Sequence, residues 1–168
     1  PVELRADSRL GVPGLTEVVR RGNVVIANPL GSSVLENPAL NAFLPAISEH
    51  FLGRELELPS VATWWCGQPK ELEFVLANLA KLVIKPIYRQ AGMQSIFGAL
   101  LTRQEREELA ARIRTRPHLY VGQEQVGFSS APALVDSGLE PRQAVLRTFL
   151  AARDDGYVVM PGGLSRVA

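Results

Sequence analysis

A lysine follows the apolar run Leu82-Val83-Ile84, and this pattern is typical of a buried strand. The chain has 18 basic residues, and only Lys70, Lys81 and Lys85 among them are lysines. A buried ammonium needs an anionic group to offset its desolvation, and a phosphate supplies that charge as a carboxylate does. Alternatively, Lys85 lies past the end of the strand and extends into water. The run alone leaves both interpretations open.

Two arginines repeat this placement of a cation among apolar residues. Arg147 lies within Val145–Leu150, and Arg166 follows the Gly162-Gly163 turn. An arginine in a strand can pair with a buried carboxylate, or bind phosphate oxygens through two parallel hydrogen bonds. Three cations at strand positions together are harder to explain as separate structural residues than any one of them.

Two polar segments adjoin these strands. Residues 87–93 connect the Lys85 run to a second strand candidate, and such a loop can bind phosphates through backbone N–H groups. Residues 120–126 contain amide and carboxylate groups suited to an adenine edge and ribose hydroxyls, namely Gln123, Glu124 and Gln125. An ordinary hairpin loop and the polar face of an edge strand explain the same two segments.

The composition restricts the class of protein. With 168 residues, 46% of them hydrophobic and 21% charged, the chain suits one globular domain or two small lobes. A net charge of +1 gives no case for nucleic-acid binding. Neither a membrane span nor a signal peptide is recognisable, and the single cysteine, Cys66, excludes an internal disulfide. We therefore expect a cytoplasmic protein without nucleic-acid or membrane partners.

The pattern of helix caps and strand-like runs predicts a mixed α/β fold. Helices are predicted over 13–21, 37–53, from Pro69 onwards, and 102–114. Strands are predicted over 23–27, 82–85, 95–99, 119–126, 143–151 and 156–160, with a hairpin turn at Asp154-Asp155-Gly156 and a loop over 127–141. Cys66 and the two tryptophans before it are expected in the core or at an interface.

Several motifs together resemble the circularly permuted ATP-grasp proteins, which are bacterial proteins related to glutathionylspermidine synthase. The most specific are Leu10-Gly11-Val12-Pro13-Gly14-Leu15 and Pro161-Gly162-Gly163-Leu164-Ser165-Arg166-Val167-Ala168, and the others include Asn28-Pro29-Leu30-Gly31-Ser32, Val83-Ile84-Lys85-Pro86, Val121-Gly122-Gln123-Glu124 and Leu146-Arg147. The resemblance implies an ATP-grasp fold of two lobes, with mixed or antiparallel sheets flanked by helices. Residues 1–60 and 127–168 would form the central lobe and residues 61–126 the smaller ATP-binding lobe of a longer protein.

The resemblance also assigns roles to single residues. Lys85 corresponds to the phosphate-binding lysine, and the segment from Tyr88 to Gly92 corresponds to the loop over the phosphates. The residues implied in ATP binding are Lys85, Tyr88, Arg89, Gly92, Gln123, Glu124 and Gln125. Arg147 and Arg166 are implied as the catalytic residues near the phosphates or the acyl phosphate, and Glu3 and Asp7 as magnesium ligands.

The activity implied is that of an ATP- and Mg²⁺-dependent ligase that joins a small-molecule or peptide carboxylate to an amine through an acyl phosphate. The alternative is a degenerate ATP-grasp module without ligase activity that acts as a scaffold. The single glycine in the loop and the cation Arg5 beside Glu3 favour that alternative. The implied enzyme is the full-length protein, and the fragment alone is expected to be inactive.

Overall fold

The computed structural model of the chain describes residues 12–88 and 94–167. It has antiparallel sheets together with helices, so the predicted mixed α/β class is confirmed. The chain forms two compact units, Pro1–Gln125 and Val126–Ala168, which we call the first and second unit. The predicted grouping of residues 1–60 with 127–168 stays a prediction. Among the described residues, no helix is both long and apolar enough to cross a membrane.

Among its described residues, the first unit contains four α-helices, and local capping signals are present at two of their ends. Its α-helices are α1 Leu15–Arg20, α2 Leu44–Leu52, α3 Pro69–Ala77 and α4 Arg103–Thr115. Thr102 accepts a hydrogen bond from the backbone N–H of Glu105, whose carboxylate accepts one from the Thr102 backbone N–H, as the capping-box pattern predicts. The predicted helix over 37–53 is divided: a 3₁₀ segment, Pro38–Ala42, precedes α2, and Gly53 ends it at φ 64°.

The strands of the first unit form one antiparallel sheet. These strands are β1 Thr63–Trp65, β2 Leu82–Pro86, β3 Ile96–Phe97 and β4 Tyr120–Glu124, in the order β1-β4-β2-β3. Successive residues of a strand point to opposite faces, and directly paired residues share a face. The pairs of Gln123 with Val83 and Thr63, and of Val121 with Lys85 and Trp65, therefore define one face of this sheet.

The opposite face of the sheet carries the hydrophobic core. Ile84 of β2 is fully buried there with Val75 of α3 and Leu109 and Ile113 of α4. Gly122 lies on this face, and a Cβ at its position would be 2.6 Å from Val75 Cγ2. Helix α3 therefore approaches β4 so closely that only glycine fits without movement.

The second unit consists of β-strands. In the three-stranded antiparallel sheet, β6 Gly138–Arg147 lies between β5 Ser130–Val135 and β9 Leu164–Val167. The hairpin of β7 Leu150–Arg153 and β8 Gly156–Val159 forms a separate two-stranded sheet. Its turn is at the predicted Asp154-Asp155-Gly156, and the φ of 146° at Gly156 explains the glycine.

Three predictions of local structure are wrong. Residues 23–27 form bends and irregular backbone and no strand. A run of β-branched residues does not form a strand unless a neighbouring strand pairs with it. The predicted loop 127–141 contains β5 and the first residues of β6. The predicted single strand over 143–151 is two strands, since β6 ends at Arg147 and β7 begins at Leu150.

Candidate active site

Lys85 lies inside β2, one residue before its end, and not beyond the strand. It is half-buried, and its Nζ donates a hydrogen bond to Gln123 Oε1 at 2.5 Å. The alternative that Lys85 lies past the end of the strand is therefore wrong. Antiparallel pairing of β2 with β4 explains the contact, since Lys85 lies diagonally across from Gln123 on one face.

A chain of hydrogen bonds continues from Gln123 to the edge of the sheet. Gln123 Nε2 donates to Thr63 Oγ1 at 3.0 Å, and Thr63 Oγ1 donates to the backbone carbonyl of Val61 at 2.9 Å. Gln123 is 9% exposed, so its amide satisfies both ends by bonds within the protein. The chain links β2, β4 and β1 and ends on the main chain.

Three other described residues of the first unit, Tyr88, Glu124 and Gln125, are predicted to bind the nucleotide. Glu124 follows Gln123 in β4 and therefore faces the opposite side of the sheet, where it is exposed. Its backbone N–H donates to the carbonyl of Ala62 at 2.9 Å. Tyr88 is 62% exposed two residues after β2, and Gln125 is exposed just after β4. The side chain of Gln123 contacts Lys85 directly.

An apolar cavity of ~220 Å³ lies in the same unit. The residues that line it are Val34, Asn37, Ala39, Leu40, Phe43, Trp65 and Ile87. Trp65 shares the sheet face of Lys85, because both pair with Val121. The indole is held by a hydrogen bond from Nε1 to the carbonyl of His118 at 3.0 Å and by an edge contact with the Phe43 ring.

Arg147 and Arg166 lie together in the second unit. Arg147 of β6 pairs with Leu164 of β9. Arg166 of β9 pairs with Val145, which lies two residues before Arg147 in β6. Directly paired residues share a face, so both arginines lie on the same face of β6 and β9. Both are exposed. The sheet therefore carries two arginines in diagonal register on one face, and two cations on one face suit an anion.

Four predicted site residues, Glu3, Asp7, Arg89 and Gly92, lie outside the described residues. Within 12–88 and 94–167, no three side chains of histidine, cysteine, aspartate or glutamate come together as a metal site. The predicted magnesium ligands therefore stay a prediction.

Cys66 is in the core, as expected, and 1% of its surface is exposed. Burial raises the pKa of its thiol to about 11. A thiol needs a lowered pKa to act as a nucleophile at neutral pH, so Cys66 has a structural role.

Thr63 is the site residue that reasoning from the sequence missed. Its connection to Lys85 runs through Gln123, from which it is 60 residues distant in sequence. A signal was present in Val61-Ala62-Thr63-Trp64-Trp65, because β-branched and aromatic residues favour a strand. The register that places Thr63 opposite Gln123 depends on the partner strand and is absent from the segment itself.

The whole chain, residues 1–168, matches the family described as circularly permuted ATP-grasp type 2. The chain belongs to this family. It is 38% identical over 168 residues to an uncharacterised protein of Synechocystis sp., covering 100% of this chain and 35% of the relative. Two uncharacterised proteins of Mycobacterium tuberculosis are 41% identical over 167 residues (99% of this chain, 19% of the relative) and 33% identical over 168 residues (100% and 30%). The chain thus spans about a third or less of these relatives.

Proposed function

We propose that the chain is the ATP-binding part of an ATP-dependent carboxylate–amine ligase. The observation that carries this proposal is the half-buried Lys85, held by Gln123 inside the sheet of a chain that matches an ATP-grasp family throughout. The Gln123 oxygen accepts a charge-assisted hydrogen bond from the Lys85 ammonium, which holds this cation at the sheet surface. The second unit carries two cations of its own, Arg147 and Arg166, on one face of its sheet.

The proposed reaction has two steps. A substrate carboxylate oxygen attacks the γ-phosphorus of ATP, the bond from that phosphorus to the bridging oxygen breaks, and ADP leaves. The amine nitrogen then attacks the acyl-phosphate carbon, inorganic phosphate leaves with its bonding electrons, and the amine loses a proton. In both steps the protein positions the reactants and neutralises negative charge, which cationic side chains on rigid strands can do.

The proposed roles follow this division. Lys85 binds the ATP phosphates, and Glu124 and Gln125, exposed at the end of β4, bind the base and ribose. Gln123 contacts the base without its amide, which is hydrogen-bonded at both ends. Arg147 and Arg166 bind the transferred phosphoryl group. Glu3 and Asp7 are the proposed ligands for Mg²⁺, which when bound would neutralise phosphate charge.

The test is ATP binding by the full-length protein and by its Lys85→Gln variant, measured by calorimetry in magnesium buffer. Removing a charge-assisted hydrogen bond costs about 1.5–3 kcal/mol, so we expect Kd to rise roughly 10- to 100-fold. Lys81→Gln is the matched control, because Lys81 is an exposed lysine at the end of a neighbouring 3₁₀ segment. It should leave Kd unchanged.

Equal affinity for ATP in the Lys85→Gln and Lys81→Gln variants would show that Lys85 does not bind ATP. No binding of ATP by the unaltered full-length protein would overturn the proposed function and favour a scaffold role. Repeated turnover of ATP to ADP and phosphate that requires both a carboxylate and an amine substrate distinguishes a ligase from a simple ATP-binding protein.

A further inference from the structure

The amide of Gln123 has two possible orientations, and only one of them supports Lys85. An amide presents a carbonyl oxygen on one side and an NH₂ group on the other, and rotation by half a turn exchanges them. An ammonium donates hydrogen bonds and accepts none. Gln123 must therefore turn its oxygen towards Lys85 Nζ, as the structure has it. An acceptor on the far side of the amide strengthens this selection, because it takes the NH₂ group and not the oxygen.

Thr63 supplies that selection. Its hydroxyl has one proton, which it donates to the backbone carbonyl of Val61 at 2.9 Å. The hydroxyl oxygen is then left as an acceptor, and it accepts from Gln123 Nε2 at 3.0 Å. A rotated amide would place an oxygen against a hydroxyl whose proton is already used, and an NH₂ group against the ammonium. Both hydrogen bonds of the Gln123 side chain would be lost.

The surroundings of the amide make this selection effective. Gln123 lies in β4 between β1 and β2, directly opposite Thr63 on one side and Val83 on the other. It is 9% exposed and Val83 is 6% exposed, so water has little access to replace a lost partner. The fixed point of the chain is a backbone carbonyl, which cannot rotate as a side chain does.

We propose that Thr63 is a positioning residue for Lys85: through the amide of Gln123, its hydroxyl fixes where the Lys85 ammonium is held. This inference rests on the proposed function only for the consequence in ATP binding. It assigns to Gln123 a support role on the lysine, beyond contact with the base. It also explains why a threonine precedes the two tryptophans of β1.

The first readout needs no nucleotide. In the full-length protein labelled with ¹⁵N-lysine, the Lys85 ammonium signal is assigned by its absence in Lys85→Arg, and its proton exchange with water is measured. Thr63→Val keeps the shape of the side chain but removes the hydroxyl, and should speed exchange at Lys85. Thr63→Ser keeps the hydroxyl and should preserve slow exchange. Lys70 and Lys81, both exposed, serve as internal references.

A matched control separates this effect from general destabilisation. Thr115 Oγ1 also donates to a backbone carbonyl, that of Ala111 at 3.0 Å, but lies on α4 away from the sheet. Thr115→Val should leave the Lys85 signal unchanged. Gln123→Glu provides a second route, because a carboxylate offers oxygen in either orientation. In that background, Thr63→Val should have far less effect on Lys85 than in the unaltered protein.

The second readout is the Kd for ATP. We expect Thr63→Val to weaken ATP binding roughly 3- to 10-fold, the effect of one net hydrogen bond, and Thr63→Ser to leave it nearly unchanged. The inference is overturned if Thr63→Val changes neither Lys85 exchange nor the Kd, or if Thr63→Ser and Thr63→Val behave alike. If the unaltered protein binds no ATP, the proposed function fails, and the exchange of the Lys85 ammonium alone decides the inference.

Discussion

Lys85 and Cys66 of the first unit show that the two faces of one sheet have different chemistry. Lys85 shares a face with Gln123 and keeps a charged group at hydrogen-bond distance from a neutral partner. Cys66, just after β1, lies in the core on the other face with Val75 and Ile84, and burial raises the pKa of its thiol. The face to which a residue points therefore decides whether it can act on a ligand.

The raised pKa of Cys66 makes stability depend on pH in the alkaline range. The ordinary thiol pKa is 9.0, and burial raises it to about 11 in the folded protein. Between these values the unfolded chain loses the proton while the folded protein keeps it, so the free energy of unfolding falls as pH rises. Below pH 9 the thiol keeps its proton in both the folded and the unfolded state, so it does not lower the free energy of unfolding there. Between pH ~8.5 and ~11, we expect the free energy of unfolding to fall by about 1–2 kcal/mol more in the unaltered protein than in the Cys66→Ala variant.

Urea denaturation of both proteins at several pH values measures this difference. Cys66→Ala is less stable at every pH because it leaves a cavity, so the comparison concerns the slopes and not the absolute values. Parallel curves for the two proteins would show that the thiol titrates normally and that its burial is incomplete in solution.

At the scale of elements, the close approach of α3 to β4 depends on one glycine. A Cβ on Gly122 would be 2.6 Å from Val75 Cγ2 and 3.1 Å from Leu82 Cδ1. Both neighbours are buried, so neither can move into solvent. We expect Gly122→Ala to lower the free energy of unfolding by about 1–3 kcal/mol through overpacking. Because Gln123 is the next residue, displacement of β4 should also weaken ATP binding.

The control for this substitution is Gly127→Ala, where a Cβ would meet no atom within 4 Å. It should change stability by less than about 0.5 kcal/mol. In thermal melting experiments, the double variant Gly122→Ala/Val75→Ala should lose less stability than the sum of the losses in the two single variants. If the double variant is less stable by the sum of the two single effects, the clash is not the cause.

The elements also show what the sequence could reveal. Helix α4 was predictable because its start signal, Thr102 and Glu105, is complete within four residues. Strand β5 and the first residues of β6 were missed because Pro132 and Pro141 are typical of loops. In the structure these two prolines pair opposite each other, which is possible where the N–H groups of a strand point away from its partner.

The candidate site was likewise only partly predictable from the sequence. Lys85 and the two arginines were recognisable as cations among apolar residues, and their strand positions are confirmed. The hydrogen bonds from Lys85 through Gln123 to Thr63 were not, because the residues are separated by 38 and 60 positions. Pairing of distant strands creates the contacts, and no single segment encodes it.

At the scale of the whole molecule, the two units differ in how their apolar residues are buried. In the first unit, Ile84, Leu109 and Ile113 are fully buried. In the second, large apolar side chains are exposed, including Leu134 at 82% and Tyr157 at 76%. All eight residues of β7 and β8 are exposed. A two-stranded hairpin with no covered face is at best marginally stable in water.

This difference predicts two exchange regimes in the 168-residue chain. Amide protons of β2 and β4 should exchange slowly, since they open only with the core, whereas those of β7 and β8 should exchange at nearly unprotected rates.

The relatives are about three times longer or more, since the chain spans 35%, 19% and 30% of them. We therefore expect β7 and β8 to become protected in the full-length protein, where further residues are available to cover their apolar faces. Hydrogen–deuterium exchange by mass spectrometry on both proteins measures this, with β2 and β4 as the reference that should not change. Equal exchange of the hairpin in the two proteins would mean that its apolar side chains stay exposed, and that the second unit offers them to a ligand or to another protein.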